Sequence, residues 1–443
     1  MRYVLDPTTR VEGRRIIGGS PRTVLGVSEG GARTLERLLA GDPPAGSALV
    51  ARMLDLGLVH PEPEPRRVVE PTGEPLVTIV IPTLGAPRHG PPADADIPVV
   101  LVDDGSEPAV DGATVRLDEN RGPAAARNAG LALVTTPFVV FVDADVEHGD
   151  VTRWVGALLG HFDDERVALV APRIVAADRD GAIARHEQRH GALDMGDQPA
   201  AITPTGRVTY VPAAAIVCRT AAVRAVGGFD EELRTGEDVD LVWRLGDAGW
   251  RCRYDPRVSV RHEPRASLAG VVRQRIGYGE SAAALHRRHP GRLAPVAFSP
   301  WSLAAWLIPV IWARRTWAPL AGAAVLGTAT LRLRRSMPEL PASIVVSTVW
   351  RGSTATGVAL ARAVRRVWWP LVVVAAVRSR VARRVLIWSA LAARSPGVVL
   401  DDAVYGVGVW RGVLRYRTAG PLLPRRVSGR PERRSTSNYR PSP

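Results

Sequence analysis

Apolar residues follow three different rhythms along the chain. Over residues 1–65, short strand-like runs (Arg2 to Leu5, Arg15 to Ile17, Thr23 to Gly26) alternate with two stretches of helical period, Gly31 to Leu39 and Ser47 to Leu56. That alternation predicts a small α+β unit. Pro61, Pro63 and Pro65 end it, and Pro71 and Pro75 follow. Each proline fixes φ and bars a helix, so residues 66–75 should form a semi-rigid, extended linker.

From Leu76 to about residue 290 the rhythm changes to continuous apolar runs that stop at polar loops. Val77 to Ile81 precedes Pro82-Thr83, Val99 to Val102 precedes Asp103-Asp104-Gly105-Ser106, and Phe138 to Val142 precedes Asp143-Ala144-Asp145. Strands apolar on both faces, separated by helical stretches such as Pro123 to Val134, predict an α/β fold with a buried, mostly parallel sheet. Ligands in such folds bind beyond the carboxyl ends of the strands, so the three polar loops should share one cleft. Leu84 to Pro98 carries Pro87, Pro91, Pro92 and Pro98. That segment is long enough for a parallel crossover but unsuited to a regular helix.

The third rhythm, over residues 291–424, is one of long apolar runs bounded by arginine. Residues 293–313 and 316–331 carry no charge, with Arg314 and Arg315 between them. The first run has the length of a spanning helix, although Pro295, Pro300 and Pro309 weaken it, and the second is short for that role. Leu340 to Trp350, Val367 to Val377 and Val385 to Ala393 are shorter and suit interfacial amphipathic helices with Trp and snorkelling Arg at headgroup level. The alternative is a set of buried helices in a soluble C-terminal subdomain. Residues 425–443 are polar and are expected to lack fixed structure.

Charge sharpens this division. All 58 basic residues are arginine against 44 acids, yet residues 1–290 are net negative while residues 291–443 hold 24 Arg, four acids and nine of the twelve Trp. Arginine alternating with Trp and aliphatic runs fits an anionic membrane surface better than nucleic acid. No helix-turn-helix, zinc module or RNP-like strand accompanies the basic segment, so nucleic-acid binding is not expected. Two cysteines, Cys218 and Cys252, cannot build a disulfide framework or a four-thiolate metal site, and no secretory leader pattern follows Met1. The expected location is the cytoplasmic face of the cell membrane, or the cytoplasm if the C-terminal helices form a soluble subdomain.

Candidate chemistry sits at the strand ends. Asp143 and Asp145, one residue apart on a turn, can converge on a hard divalent cation, although an isolated pair of this kind is common in turns. Its company gives it weight. Asp103 and Asp104 can accept from a base or ribose, and Asn120-Arg121-Gly122 with Ala126-Arg127-Asn128 opens a helix suited to a phosphate. Gly227-Gly228-Phe229-Asp230-Glu231 then leads to Glu237 and Asp238 at the start of an amphipathic helix, where acids also favour the helix dipole.

In this order the motifs resemble family 2 glycosyltransferases of the GT-A (Rossmann-like) fold, over residues 76 to about 290. The resemblance implies a metal-dependent, inverting transfer from a nucleoside diphosphate sugar. Pro82, Thr83, Asp103, Asp104, Arg121, Arg127, Asp143, Arg273, Arg275 and Tyr278 would bind the nucleotide sugar. Asp145, with Asp143 and His262, would hold Mn²⁺ or Mg²⁺, Asp238 would be the general base, and Glu237 would orient the acceptor or tune Asp238. Read alone, His262 at a strand end is as well explained by structure, and Arg273 and Arg275 by an exposed helix face.

The N-terminal unit, through its Gly18 to Leu25 hairpin, two helices and Leu54 to Val59, resembles winged-helix peptide-recognition domains of enzymes that modify ribosomal peptides. Its fusion to a family 2 transferase and an Arg/Trp-rich C-terminus resembles the glycosyltransferases of mycofactocin biosynthesis. That likeness implies UDP-glucose as donor, premycofactocin as a peptide-derived acceptor, and β-linked glucose units added in succession. Two other readings remain: a membrane-associated transferase acting on a lipid or cell-envelope glycan, and a catalytically silent nucleotide-sugar-binding scaffold.

Overall fold

A computed structural model of the chain describes residues 2–42, 46–90, 92, 96–265, 267–393 and 395–427. It divides into two units, Met1–Ala266 and Ser267–Ser435. The boundary falls just before the helix that begins at Leu268.

The first unit opens with β1 (Arg2–Leu5), β2 (Arg10–Glu12), β3 (Arg15–Gly18), β4 (Thr23–Gly26), α1 (Glu29–Leu39), α2 (Ala48–Asp55) and β5 (Val59–Glu62). Strands β2, β3 and β4 form an antiparallel sheet, and β1 pairs with β5. Both helices start at serines, Ser28 and Ser47, whose hydroxyls accept from backbone N–H groups of the first turn. Ile16, Leu35, Leu38, Met53 and Leu58 close a core of their own. The proline segment that follows packs against the next domain: the Arg66 N–H donates to the Gly156 carbonyl at 2.8 Å, and Val68 enters the larger core.

That larger core surrounds a nine-stranded sheet. Its elements are β6 (Val77–Thr83), β7 (Val99–Asp103), β8 (Val115–Arg116), α3 (Pro123–Leu133), β9 (Phe138–Val142), β10 (Val146–Glu147), α4 (Val151–Leu159), β11 (Val167–Ala176), α5 (Ala182–His190), β12 (Ala200–Ala201), β13 (Ala215–Arg219), α6 (Thr220–Ala225), α7 (Glu237–Asp247) and β14 (Arg251–His262). Strand order is β10-β14-β11-β13-β9-β6-β7-β8, with β12 beside β14. The long strands β6, β7, β9, β11 and β14 run one way and β13 runs against them. The described residues of Leu84 to Pro98 contain no helix, as four prolines in that stretch require.

The second unit is helical: α8 (Leu268–Arg288), β15 (Ala297–Phe298), α9 (Pro300–Ile311), α10 (Ala318–Ser336), α11 (Ala342–Ala363), α12 (Trp369–Ala376), α13 (Arg380–Leu391), α14 (Pro396–Tyr416) and β16 (Arg425–Arg426). Helices α8 and α14 meet backbone to backbone. A Cβ on Gly279 would lie 2.0 Å from the Tyr405 carbonyl oxygen and one on Gly408 2.1 Å from that of Ile276, so only glycine allows the approach.

The spanning helix considered for residues 293–313 does not form. The charge-free run is broken by a short strand and by the Ser299 cap before Pro300, leaving a helix of 12 residues, about 18 Å long at 1.5 Å per residue. No helix among the described residues is long and apolar enough to cross a membrane. The tail differs from expectation at its start, where Arg425 and Arg426 pair in parallel with Ala297 and Phe298. Its remainder, from residue 428, lies outside the described residues.

Candidate active site

Three strand ends and two helix starts build the site. β6, β7 and β9 deliver Thr83, Asp103 and Asp143 to the same edge of the sheet, as the continuous apolar runs predicted.

Asp103 and Asp104 are buried and fully engaged by the protein. Asp103 accepts from the N–H groups of Ser106 (2.9 Å) and Val110 (3.1 Å) and from Arg116 (2.9 Å). Asp104 accepts from the N–H groups of Arg121 (2.8 Å) and Gly122 (2.9 Å), which fixes the turn into α3. Gly105 has φ +73°, and a Cβ there would lie 2.4 Å from the Glu119 carbonyl carbon, so the close approach of the two loops requires glycine. Pro82 lies within β6, paired with Val102, and the Thr83 hydroxyl donates to the Gly85 carbonyl at 2.7 Å. Arg121 reaches Glu231 at 2.6 Å.

Arg127 is the centre of the site. Its side chain is 4% exposed and donates to Asp143 at 2.6 Å and to Glu237 at 2.7 Å. It also lies over the Phe229 ring, 5.4 Å from the centroid. Burial opposes its charge, but the two carboxylates hold it protonated well above the usual guanidinium range. The guanidinium expected to meet a phosphate is therefore committed to linking the Asp143 loop with the start of α7.

The start of α7 is clamped from both sides. Asn128 accepts from the Phe229 N–H (2.9 Å) and donates to the Phe229 carbonyl (2.9 Å). Arg244 bonds Asp240 (2.6 Å) and the carbonyls of Val226 (2.5 Å) and Gly228 (2.7 Å). The conspicuous Gly-Gly-Phe-Asp-Glu and Glu-Asp-x-Asp-x-x-x-Arg motifs thus include a scaffold that fixes Glu237 and Asp238. Burial raises the pKa of Asp238 to about 7; the charge of Glu237 adds to the rise, while the Val239 N–H bond and Arg127 oppose it.

On the metal-suited side, His262 ends β14 with Nε2 3.2 Å from an Asp145 oxygen. Burial raises the Asp145 carboxyl, but His262 and the Arg265 charge outweigh it and hold the group below the usual carboxylate range. Asp143 moves the other way, raised by burial and by Asp145 against the pull of Arg127.

Beside this pair lies a cluster absent from the sequence reading. Ligand atoms of His89, Glu147 and Glu263 fall within 4.8 Å of one another. Arg179 donates to Glu147 at 3.1 Å and also to Glu263, so a cation already serves these carboxylates. Their signal was adjacency: Glu147 is two residues beyond Asp145, and Glu263 follows His262.

Arg273, Arg275 and Tyr278 stand on α8 of the second unit. Arg273 is exposed, whereas Arg275 is buried with a guanidinium nitrogen 3.4 Å from Asp401.

Comparison with known proteins adds a second line of observation. A model of glycosyl transferase family 2 matches residues 93–227. The pre-mycofactocin glycosyltransferase of Mycobacterium tuberculosis (strain ATCC 25618 / H37Rv) is 38% identical over 469 residues, 95% of this chain and 96% of that protein. The succinoglycan biosynthesis protein ExoA of Rhizobium meliloti (strain 1021) is 38% identical over 99 residues, 21% of this chain and 30% of its own. A mannosyltransferase structure from Pyrobaculum calidifontis, in complex with GDP-Man and Mn²⁺, aligns at TM-score 0.38 and 19% identity, covering 79% of this chain and 90% of that one.

Proposed function

Since the chain belongs to glycosyltransferase family 2, alongside the pre-mycofactocin glycosyltransferase, we propose that it transfers a hexose, glucose from UDP-glucose, onto premycofactocin with inversion at the anomeric carbon. Repeated transfer would build a β-linked oligosaccharide. The observation that carries the reading is relatedness over nearly the whole chain, N-terminal unit and C-terminal helices included.

Asp238 serves as general base. Its raised pKa keeps it basic enough to take a proton from an acceptor hydroxyl near neutral pH, and the clamps on α7 fix its position. Glu237, held by Arg127, orients the acceptor. The donor set of Asp145 and His262, with Asp143 two residues away, fits a hard divalent ion. These residues would hold Mn²⁺ or Mg²⁺, which when bound offsets negative charge on the departing diphosphate. Thr83 and the loops pinned by Asp103 and Asp104 shape the nucleotide end, and Arg121 at the mouth of α3 is placed for a phosphate.

The test is mass spectrometry of the protein incubated with UDP-glucose, Mn²⁺ and premycofactocin. Hexose-mass additions that disappear with EDTA support both acceptor and metal. UDP-glucose binding without any addition would instead favour a lipid or cell-envelope glycan acceptor. In the same assay kcat/KM should rise about tenfold per pH unit below pH 7 and level off above it, because the base must be deprotonated. A profile flat from pH 5 to 8 would remove Asp238 from that role.

A membrane-surface location is the second part of the proposal, and a specific observation favours it. In the second unit Trp350 is 64% and Trp388 70% exposed, and Val374 and Val377 more than 70%. Asp402, one of the few acids there, is buried against Arg365 at 3.0 Å. Exposed Trp and aliphatic side chains in a segment where arginines far outnumber acids suit the interface of an anionic bilayer. Sedimentation with phosphatidylglycerol vesicles should carry the protein down, and the Trp350→Ala/Trp388→Ala variant should lose several-fold in partitioning. Equal recovery in the supernatant with and without vesicles would refute the location.

A further inference from the structure

Residues 203–213 run from the N-terminal module to the proposed base. Beyond β12 the chain makes a tight turn, in which the Gly206 N–H donates to the Thr203 carbonyl (2.9 Å) and the Thr203 N–H to the Val208 carbonyl (3.1 Å). Arg207 stands on that turn and donates to Asp6 of the module. Asp6 is buried and also accepts from His60 at 2.8 Å and from the Thr8 N–H at 2.9 Å. Burial opposes its charge, but His60, Thr8 and Arg207 hold the carboxyl well below the usual carboxylate range. A charge pair therefore joins the module to the turn at any working pH. Gly206 packs beside it, where a Cβ would lie 3.4 Å from the Ser20 carbonyl oxygen on the β3–β4 loop.

From this turn the chain leads straight to the catalytic carboxylates. Val208 and Val211 are buried, which pins the stretch into the core as it passes. Between them, the Thr209 carbonyl accepts from the indole N–H of Trp243 on α7 at 2.8 Å. Ala213, six residues after Arg207, bonds Asp238 through its N–H, and the Ala214 carbonyl accepts from the Asp143 N–H at 2.9 Å. One short segment thus carries the module's ion pair near its start and a bond to the base at its end. The module is itself held at two further points, Asp55 to Arg251 (2.8 Å) and Glu62 to Arg257 (3.6 Å), so Asp6 is a fixed anchor.

We infer that Arg207 is a positioning residue for Asp238: tied to the module through Asp6, it holds residues 203–213 so that the Ala213 N–H stays on the base carboxylate. The module then belongs to the framework of the base, whether or not a peptide segment occupies it. N–H groups of Val239 and Ala213 fix the carboxylate from two separate stretches of chain. Losing the second frees it to turn about the first, and a misplacement of about 1 Å is enough to cost turnover. Substrate binding is left alone. The inference rests on Asp238 as the base, proposed above.

Two arms test it on the full chain. In hydrogen exchange, Arg207→Met should speed the amides of residues 209–214 by about fivefold or more, while those of β9 keep their wild-type rate. Unchanged exchange in 209–214 overturns the inference whatever reaction the protein catalyses. In the second arm, Arg207→Met should lower kcat for transfer to premycofactocin about tenfold with both KM values within about twofold of wild type. Arg207→Lys, which keeps a charge opposite Asp6, should recover most of the loss. In an Asp238→Asn background, Arg207→Met should cost no further rate, because the group it positions is gone. A rise in acceptor KM with kcat unchanged, or a further loss of about tenfold in that background, overturns the inference. Should Arg207→Met not fold, Asp6→Asn breaks the same charge pair from the module side and is read in the same two ways. If wild-type protein glycosylates no premycofactocin, or Asp238→Asn transfers as fast as wild type, the acceptor or the base proposed above fails, while the exchange arm still decides whether the module fixes this segment.

Discussion

Asp238→Asn should lower kcat by about a thousandfold, within the range expected for losing a positioned base, while UDP-glucose binding is retained. The same substitution should make the protein more stable at pH 8. Asp238 binds its proton more tightly folded, with a pKa near 7, than unfolded, near 3.8. Between those values the native state keeps a proton that the unfolded chain has released, so stability falls as pH rises through the window, and the full penalty applies above about pH 7. Asparagine cannot ionise and carries no such penalty. A gain on the order of 1 kcal/mol would appear as a Tm rise of about 2–4 °C at pH 8 that vanishes near pH 4. Loss of rate with a pH-dependent gain in Tm would mark a group held against its own ionisation for the sake of chemistry. If transfer survives at a tenth of the wild-type rate or better, Asp238 is not the base, and Glu237 becomes the carboxylate to examine.

What the sequence disclosed and what it withheld follow from the range of the interactions. The strands ending at Thr83, Asp103 and Val142 were legible because burial on both faces forces unbroken apolar runs, and the runs stop where the chain meets solvent. The start of α7 was legible from its acidic first turn and apolar period. Partnership was not. Asp104 at a strand end reads the same whether it faces a ligand or pins a turn 17 residues later, and the structure shows the turn. Arg127 and Glu237 meet across 110 residues, a separation over which no periodicity carries information. Glu147, Arg179 and Glu263 gather from three separate segments for the same reason. In the C-terminal half, absence of charge gave a length but not the cap at Ser299 that cuts it, so residues 293–313 read longer than the helix they form.

Arg127→Met should be the most damaging single change in the catalytic unit. It leaves Asp143 and Glu237 facing each other's loops without a counter-charge, and removing one member of a buried ionic group costs about 3–5 kcal/mol. Transfer should fall below detection at a temperature where the wild type is stable. Two further variants separate a bridging role from a phosphate-binding one. Lysine keeps the charge but has one compact ammonium where the guanidinium forks to two carboxylates, so Arg127→Lys should fold and still lose about ten- to a hundredfold in kcat with UDP affinity little changed. Arg127→Met/Glu237→Gln removes one of the two stranded carboxylates along with the guanidinium and should recover part of the lost Tm without recovering transfer. An arginine whose task was to hold the diphosphate would behave in the opposite way: Arg127→Lys would weaken UDP binding first, and Glu237→Gln would restore nothing, because no stability would have depended on the pair.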